Sequence, residues 1–156
     1  EEYYDRIEAI QFTMNHDDGN QVEDIEKSDI ILLGVSRTSK TPTSIYLANR
    51  GYKTSNIPLV NPSSIPDKIL RKNFSPCIIG LVTEAERLFD LRKNRLSSIK
   101  ENKNIGYTNL DKIKKELENS KKIFKENKWP TIDVTRKSVE ETAASVIKIY
   151  EIKNKK

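Results

Sequence analysis

Cysteine is all but missing from this chain of 156 residues, in which Cys77 stands alone. An internal disulfide is therefore excluded, and a reducing, cytoplasmic setting is expected. Cys77 falls in a predicted strand and reads as a small core residue rather than a nucleophile. Long apolar runs are missing too. No stretch approaches the roughly 20 residues needed to span a bilayer, and there is no signal-peptide pattern, so no membrane association is expected. Histidine occurs once, as His16. The first residue is not methionine, and an amphipathic segment with Tyr4, Ile7, Ala9 and Ile10 begins at once, so the chain is expected to be a piece of a longer protein.

What is present points to a folded α/β domain. Hydrophobic residues make up 35% and charged residues 33% of the chain, and the apolar ones are gathered in runs, unlike those of a disordered segment. The length fits one domain, residues 1–156, able to bury a core. The net charge of +5 could suggest nucleic acid. Much of the excess, however, lies between Lys100 and Lys128 and at Lys153–Lys156, interleaved with Asn and Glu. That pattern reads as a solvated helical face and a frayed end, so no nucleic-acid partner is expected.

Helical spacing over residues 3–13 runs into the turn formers Asn15–Asn20, and residues 22–27 read as a short helical turn. Asp29–Gly34 is a β-rich apolar run of the kind buried on both faces in a parallel sheet. A helix through Ile45–Ala48 stops at Gly51. Strands are predicted at 54–60, 77–82 and 130–135, and helices at 67–72, 84–96 and 110–128. Ser138-Val139-Glu140-Glu141 matches a capping box, and a last helix runs to about residue 152. Strands alternating with helices predict a three-layer P-loop domain, a mainly parallel sheet flanked by helices. Ligands would sit at the carboxyl ends of the strands, where Gly34–Thr41, Thr83 and Asp133–Thr135 line one edge.

The string Gly34-Val35-Ser36-Arg37-Thr38-Ser39-Lys40-Thr41 has the Walker A layout, except that Ser39 stands at the second glycine position. Gly34 lets the backbone turn sharply out of the strand, so that successive N–H groups form an anion nest. Lys40 adds a point charge, the Thr41 hydroxyl suits Mg²⁺, and the next helix directs its positive end to the same spot. Arg37 is suited either to charge on a transferring phosphoryl group or to a surface ion pair. Strand three ends in Val82-Thr83-Glu84, with no aspartate where a P-loop enzyme usually holds its metal; Asp133, on strand four, is the next candidate. His16-Asp17-Asp18-Gly19 reads from its residues alone as a solvated turn, although carboxylates could serve as a base.

The loop with its continuation Pro42-Thr43-Ser44 and Tyr46-Leu47-Ala48 resembles the signature of the pyruvate,phosphate dikinase regulatory protein family, which includes the related regulators of phosphoenolpyruvate synthase. Ser39 belongs to that pattern. Further similarities are Arg6–Ile10 with Phe12-Thr13 and His16–Gly19, Asn56–Leu59, Gly80-Leu81 with Glu86–Leu88, Leu91-Arg92 and Arg95-Leu96, and Asp133–Thr135 with Ser138–Glu141. Together they cover roughly residues 3–150.

The resemblance implies that an N-terminal region is absent and this is the C-terminal P-loop domain of a bifunctional serine/threonine kinase and pyrophosphorylase. Such an enzyme takes ADP as donor to phosphorylate, and inactivate, a threonine on the dikinase beside its phosphorylated catalytic histidine. It removes that phosphate with inorganic phosphate, releasing pyrophosphate. The implied roles are Lys40 and the loop amides (Gly34 to Thr41) on the phosphates, Ser36 and Arg37 on the transferring group, and Asp17 or Asp18 as base. Thr41, with Asp133, would serve a Mg²⁺ ion. Arg87, Arg92 and Arg95 suit an anion site or a charged face equally, and a homodimer is left open. The Thr38-Ser39 pair favours the dikinase over the synthase as partner.

Two other classes compete. A generic small-molecule kinase would transfer phosphate from ATP without a protein partner. A basic adaptor would bind nucleic acid or an acidic protein in a salt-dependent way, indifferent to Lys40→Ala.

Overall fold

The computed structural model describes residues 2–16, 22–35, 38, 40–59, 65, 67–70, 76–99 and 110–154. In chain order they form α1 (Glu2–Asn15), a 3₁₀ turn (Val22–Lys27), β1 (Ile30–Gly34), α2 (Lys40–Asn49), β2 (Thr54–Pro58), a second 3₁₀ turn (Asp67–Leu70), β3 (Cys77–Val82), α3 (Ala85–Ile99), α4 (Leu110–Glu126), β4 (Thr131–Asp133) and α5 (Val139–Asn154). The strands make one four-stranded sheet in the order β2-β1-β3-β4, and every pairing is parallel. The predicted α/β architecture is thus observed.

The run Ile30-Ile31-Leu32-Leu33 is apolar throughout because both faces of β1 are covered. Ile30 and Leu32 join Leu47 of α2 and Ala143 and Val146 of α5 in one core. Ile31 and Leu33 join Leu88 of α3 and Ile113, Leu117 and Phe124 of α4 in the other. Cys77 is 2% exposed in the α2/α5 core, as its strand position predicts, and burial pushes its thiol pKa up, against the opposing charge of Lys153.

Local chemistry sets the ends of the elements. At α5 the Glu141 N–H donates to Ser138 Oγ (3.1 Å) and the Ser138 N–H to Glu141 Oε1 (3.4 Å), the reciprocal pair of a capping box. Helix α4 closes on Lys128 in the left-handed region (φ 58°), with the Trp129 N–H on Phe124 O at 2.9 Å. Phe124 lies on Gly80 so closely that a Cβ there would come within 2.5 Å of the ring. Several boundaries differ from expectation: β2 ends at Pro58 rather than residue 60, and α4 at Glu126 rather than residue 128. Helix α3 continues to Ile99, past residue 96. Strand β4 is only three residues long, because beyond it the Thr135 N–H turns to the Asp133 carboxylate instead of a neighbouring strand.

The strand order fixes where a ligand site can form. From β1 the chain passes through α2 to β2 on one side; from β3 it passes through α3 and α4 to β4 on the other. Connections that leave two adjacent strands in opposite directions open a crevice between them at the carboxyl edge. Here that crevice lies between β1 and β3. Leu33 pairs with Gly80, so Gly34 and the residues after Leu81 flank it.

Candidate phosphate site

Gly34 ends β1 under tight packing. A Cβ at this position would stand 2.7 Å from Thr38 Oγ1 and 3.0 Å from the Leu81 carbonyl oxygen. The second neighbour is backbone of β3 and cannot yield cheaply, so glycine is required by close approach. Directly after it, the Val35 carbonyl gathers the loop. Thr38 Oγ1 donates to it at 2.8 Å, and Lys40 Nζ donates to it at 2.8 Å and reaches Thr38 Oγ1 at 3.5 Å. Lys40 is 6% exposed, an unusual degree of burial for an ammonium, and its place on the loop carbonyl satisfies that charge with oxygen. Gly34, Val35, Thr38, Lys40 and Thr41 are thus brought into one tight turn between β1 and α2. Ser36, Arg37 and Ser39 lie outside the described residues.

The charge around the helix starts is asymmetric. Glu86 sits in the first turn of α3, Asp111 in that of α4, and Glu140 and Glu141 in that of α5. The first turn of α2 holds no acidic residue and instead begins with Lys40-Thr41-Pro42. Pro42 is tolerated there because the first-turn N–H groups lack intrahelical partners. With the dipole end and a lysine but no carboxylate, this is the helix start suited to an anion. Behind the turn, Ser44 Oγ donates to the Thr41 carbonyl (2.9 Å) and accepts from Asn56 Nδ2 (3.2 Å). Asn56 is fully buried in β2 and ties the helix to the strand. Neither Ser44 nor Asn56 was singled out as a site residue from the sequence, because a polar side chain inside a short strand carries no distinctive pattern.

His16, at the end of α1, is 3% exposed. Its ring stacks on Phe12 with centroids 3.8 Å apart, and Nδ1 donates to the Phe12 carbonyl at 2.7 Å. The solvated-turn reading is therefore corrected for His16: it is a packed residue, held because its ring finds an aromatic face and an acceptor one helical turn back. Asp17 and Asp18, which follow it, lie outside the described residues.

A second polar group occupies the carboxyl ends of β3 and β4. Asp133 Oδ1 accepts the Thr135 hydroxyl in a short contact and the Thr135 N–H at 2.9 Å. Thr135 Oγ1 also accepts the Glu84 N–H (2.9 Å) and pairs with Thr83 Oγ1 (3.1 Å). The Thr135 hydroxyl, then its N–H, hold the Asp133 carboxyl below its ordinary pKa, with smaller help from Lys121 and Lys137. Asp133 is exposed and stands on β4, two strands from the loop, on the order of 10 Å at the usual strand spacing. Arg87 is exposed on α3, while the side chains of Arg92 and Arg95 lie outside the described residues.

Among the described residues no three His, Cys, Asp or Glu side chains gather into a metal cage. Thr41 and Asp133 carry oxygen donors of the kind a hard ion such as Mg²⁺ takes, but they stand at opposite ends of the β1-β3-β4 edge and are not brought together. No helix of the described residues is long and apolar enough to cross a membrane.

A sequence model of the kinase/pyrophosphorylase family matches residues 1–147. The chain belongs to the kinase/pyrophosphorylase family. Among its curated relatives is a protein of Pelagibacter ubique, 69% identical over 152 residues, covering 97% of this chain and 56% of the relative. Another, from Wolbachia pipientis, is 51% identical over 150 residues, covering 96% of this chain and 54% of the relative. A third, from Anaplasma marginale, is 48% identical over 161 residues, covering 99% and 55%. Each carries the name "Putative pyruvate, phosphate dikinase regulatory protein". The chain spans about half the length of the curated relatives it matches. Within this kinase/pyrophosphorylase domain, the turn at β1 joins a buried lysine to a helix start without an acidic residue.

Proposed function

We propose that this chain is the phosphate-handling part of a bifunctional regulatory phosphotransferase whose protein substrate is pyruvate,phosphate dikinase. The observation that carries the reading is the buried Lys40 ammonium, drawn onto the Val35 carbonyl at the head of a helix whose first turn lacks an acidic residue. The family match and the names of the relatives support the reaction and the partner.

In the inactivating reaction a threonine hydroxyl of the dikinase attacks the β-phosphorus of ADP. The bond from that phosphorus to the bridging oxygen breaks, AMP leaves, and the hydroxyl proton passes to a base, for which Asp17 and Asp18 are the candidates. In the activating reaction an oxygen of inorganic phosphate attacks the phosphothreonine phosphorus. The bond to the threonine oxygen breaks, pyrophosphate forms, and the alkoxide recovers a proton. Both directions place two phosphoryl groups side by side, so one anion nest serves both. Lys40 and the loop amides from Gly34 to Thr41 hold them, and Ser36 and Arg37 neutralise the group in transit. These displacements depend mainly on positioning and charge neutralisation, which is what such a loop provides. Mg²⁺, carried mainly by the phosphates with the Thr41 hydroxyl as its contact on the loop, would supply further charge neutralisation, with Asp133 two strands away.

The test uses the full-length protein with phosphohistidine-bearing dikinase and β-labelled ADP, alongside γ-labelled ATP and a Lys40→Ala variant. Threonine labelling from ADP that disappears in the variant is expected. Labelling of a small metabolite from ATP, with none on the dikinase, would replace this reading with that of a metabolite kinase.

A further inference from the structure

We infer that Asn56 is a positioning residue that sets the end of α1 against the first turn of α2, so that the chain carrying Asp17 and Asp18 starts at a fixed place relative to the phosphate turn; this rests on the function proposed above.

Asn56 reaches both elements at once. Its backbone N–H, on the outer edge of β2, donates to the His16 carbonyl at 3.4 Å. Its side-chain Nδ2 donates to Ser44 Oγ at 3.2 Å, and Ser44 Oγ donates to the Thr41 carbonyl at 2.9 Å. A single line of hydrogen bonds therefore runs from the end of α1, through β2, to the first turn of α2. The α1 end of that line is firmly seated. The His16 ring stacks on Phe12 and its Nδ1 donates to the Phe12 carbonyl, while Thr13 Oγ1 accepts the Thr54 N–H at 3.1 Å. Thr13 meets Thr54 and His16 meets Asn56, so α1 runs in the same direction as β2. The helix thus ends towards the carboxyl edge of the sheet, the edge at which α2 begins. Asp17 and Asp18 are the next two residues of the chain.

The residue type at 56 supports a role in geometry. Asn56 stands opposite Leu32 of β1, and Leu32 belongs to the α2/α5 core, so an apolar side chain would be the default here. A fully buried amide costs desolvation that a leucine would not, offset only by its hydrogen bonds. Those bonds are directional where apolar contacts are not. The Ser44 hydrogen goes to Thr41, so Ser44 meets the Asn56 amide with a lone pair, and the two polar groups fit in one sense. If α2 slid along β2 this fit would be lost, and Lys40 and the first-turn amides would shift relative to His16. Binding of ADP needs only the phosphate turn. Transfer needs the turn and the base in one geometry, and is therefore the step that Asn56 governs.

The experiment uses the full-length protein with phosphohistidine-bearing dikinase and compares wild type, Asn56→Leu, Ser44→Ala and the double variant. Titration calorimetry gives ADP affinity and the number of working sites. Threonine labelling from saturating β-labelled ADP gives the transfer rate per site. Each single variant should keep the wild-type ADP affinity and transfer about tenfold more slowly, as misplacement of reacting groups does. The double variant should be no slower than the slower single one, because the two side chains act through one hydrogen bond. Wild-type rates in Ser44→Ala, or losses that multiply in the double variant, overturn the role of Asn56. ADP affinity that falls in step with the rate assigns the pair to the phosphate turn alone and also overturns it. Should Asn56→Leu not fold, Ser44→Ala decides by the same criteria of rate and affinity. A wild type that binds ADP yet labels no threonine overturns the proposed function and the role of Asn56 together.

Discussion

Helix α5 begins on Ser138 and Glu141, which satisfy each other's backbone groups, whereas α2 begins on a buried lysine, a threonine and a proline with no acidic residue in its first turn. Both helices follow strands of one parallel sheet and pack on the same face. They share the dipole and the first-turn amides without intrahelical partners that every helix has. They differ in what meets those groups. At α5 the protein's own side chains do so, and the junction is closed. At α2 the only fixed charge in the first turn is positive, and Lys40 is held on the loop carbonyl at 2.8 Å. One junction is closed by its own side chains and the other is suited to an anion, and the difference lies in a few side chains.

Exchanging those features should separate activity from stability. The largest effect is expected from Lys40→Ala: phosphotransfer and its reverse should fall about 10²–10³-fold, as when a preorganised charge contact is lost, with a much smaller change in melting temperature. Rate assays beside thermal melts would check this. Gly34→Ala forces a Cβ against Thr38 and the Leu81 carbonyl. It should cost about 1–3 kcal/mol in denaturant titration, as overpacking does, and weaken ADP binding. Ser138→Ala should cost about 1 kcal/mol of stability and leave phosphotransfer rates at the wild-type level. Pro42→Glu gives α2 the acidic first turn of α5. Stability should rise by about 0.3–1 kcal/mol while affinity for ADP drops, and a variant that gained stability without losing affinity would break the comparison.

The smallest effect concerns pH. Asp133 has a folded pKa below its ordinary value, so its hydrogen bonds stabilise the fold above about pH 4, and that contribution fades as pH falls through the depressed pKa. Asp133→Asn should lower the melting temperature slightly near neutrality. The gap should close in acid.

The fold was legible where patterns are long or chemically distinct. The continuous apolar run of β1, the 3.6-residue spacing of α4 and the Ser138–Glu141 box each predicted what is observed. The tight turn between β1 and α2 was legible as well, through Gly34, Lys40 and Thr41 in fixed spacing. The outer ends of β4 and α3 were not. β4 stops when a side-chain acceptor captures the Thr135 N–H, a competition that propensity does not register. Asp133 was chosen for its charge and strand-end position, yet one of its oxygens is occupied by the turn that follows. Thr83 was noted only for its place on the edge. Its hydroxyl meets that of Thr135 across the ends of β3 and β4, and pairing across strands is not written in linear order. His16 illustrates the same point: in sequence it borders a polar turn, and in space it lies against Phe12.

Helix α1 does more than fill one side of the molecule. An outermost strand normally offers its unpaired N–H and C=O groups to any other chain, inviting fibre-like stacking. On β2 that invitation is withdrawn: the Thr54 N–H donates to Thr13 Oγ1 at 3.1 Å, and the Asn56 N–H to the His16 carbonyl at 3.4 Å. The end of α1 thus acts as a selvedge that keeps the woven sheet from unravelling or being extended. A chain trimmed of residues 2–16 should therefore scatter light and bind thioflavin on standing, even with its phosphate loop intact.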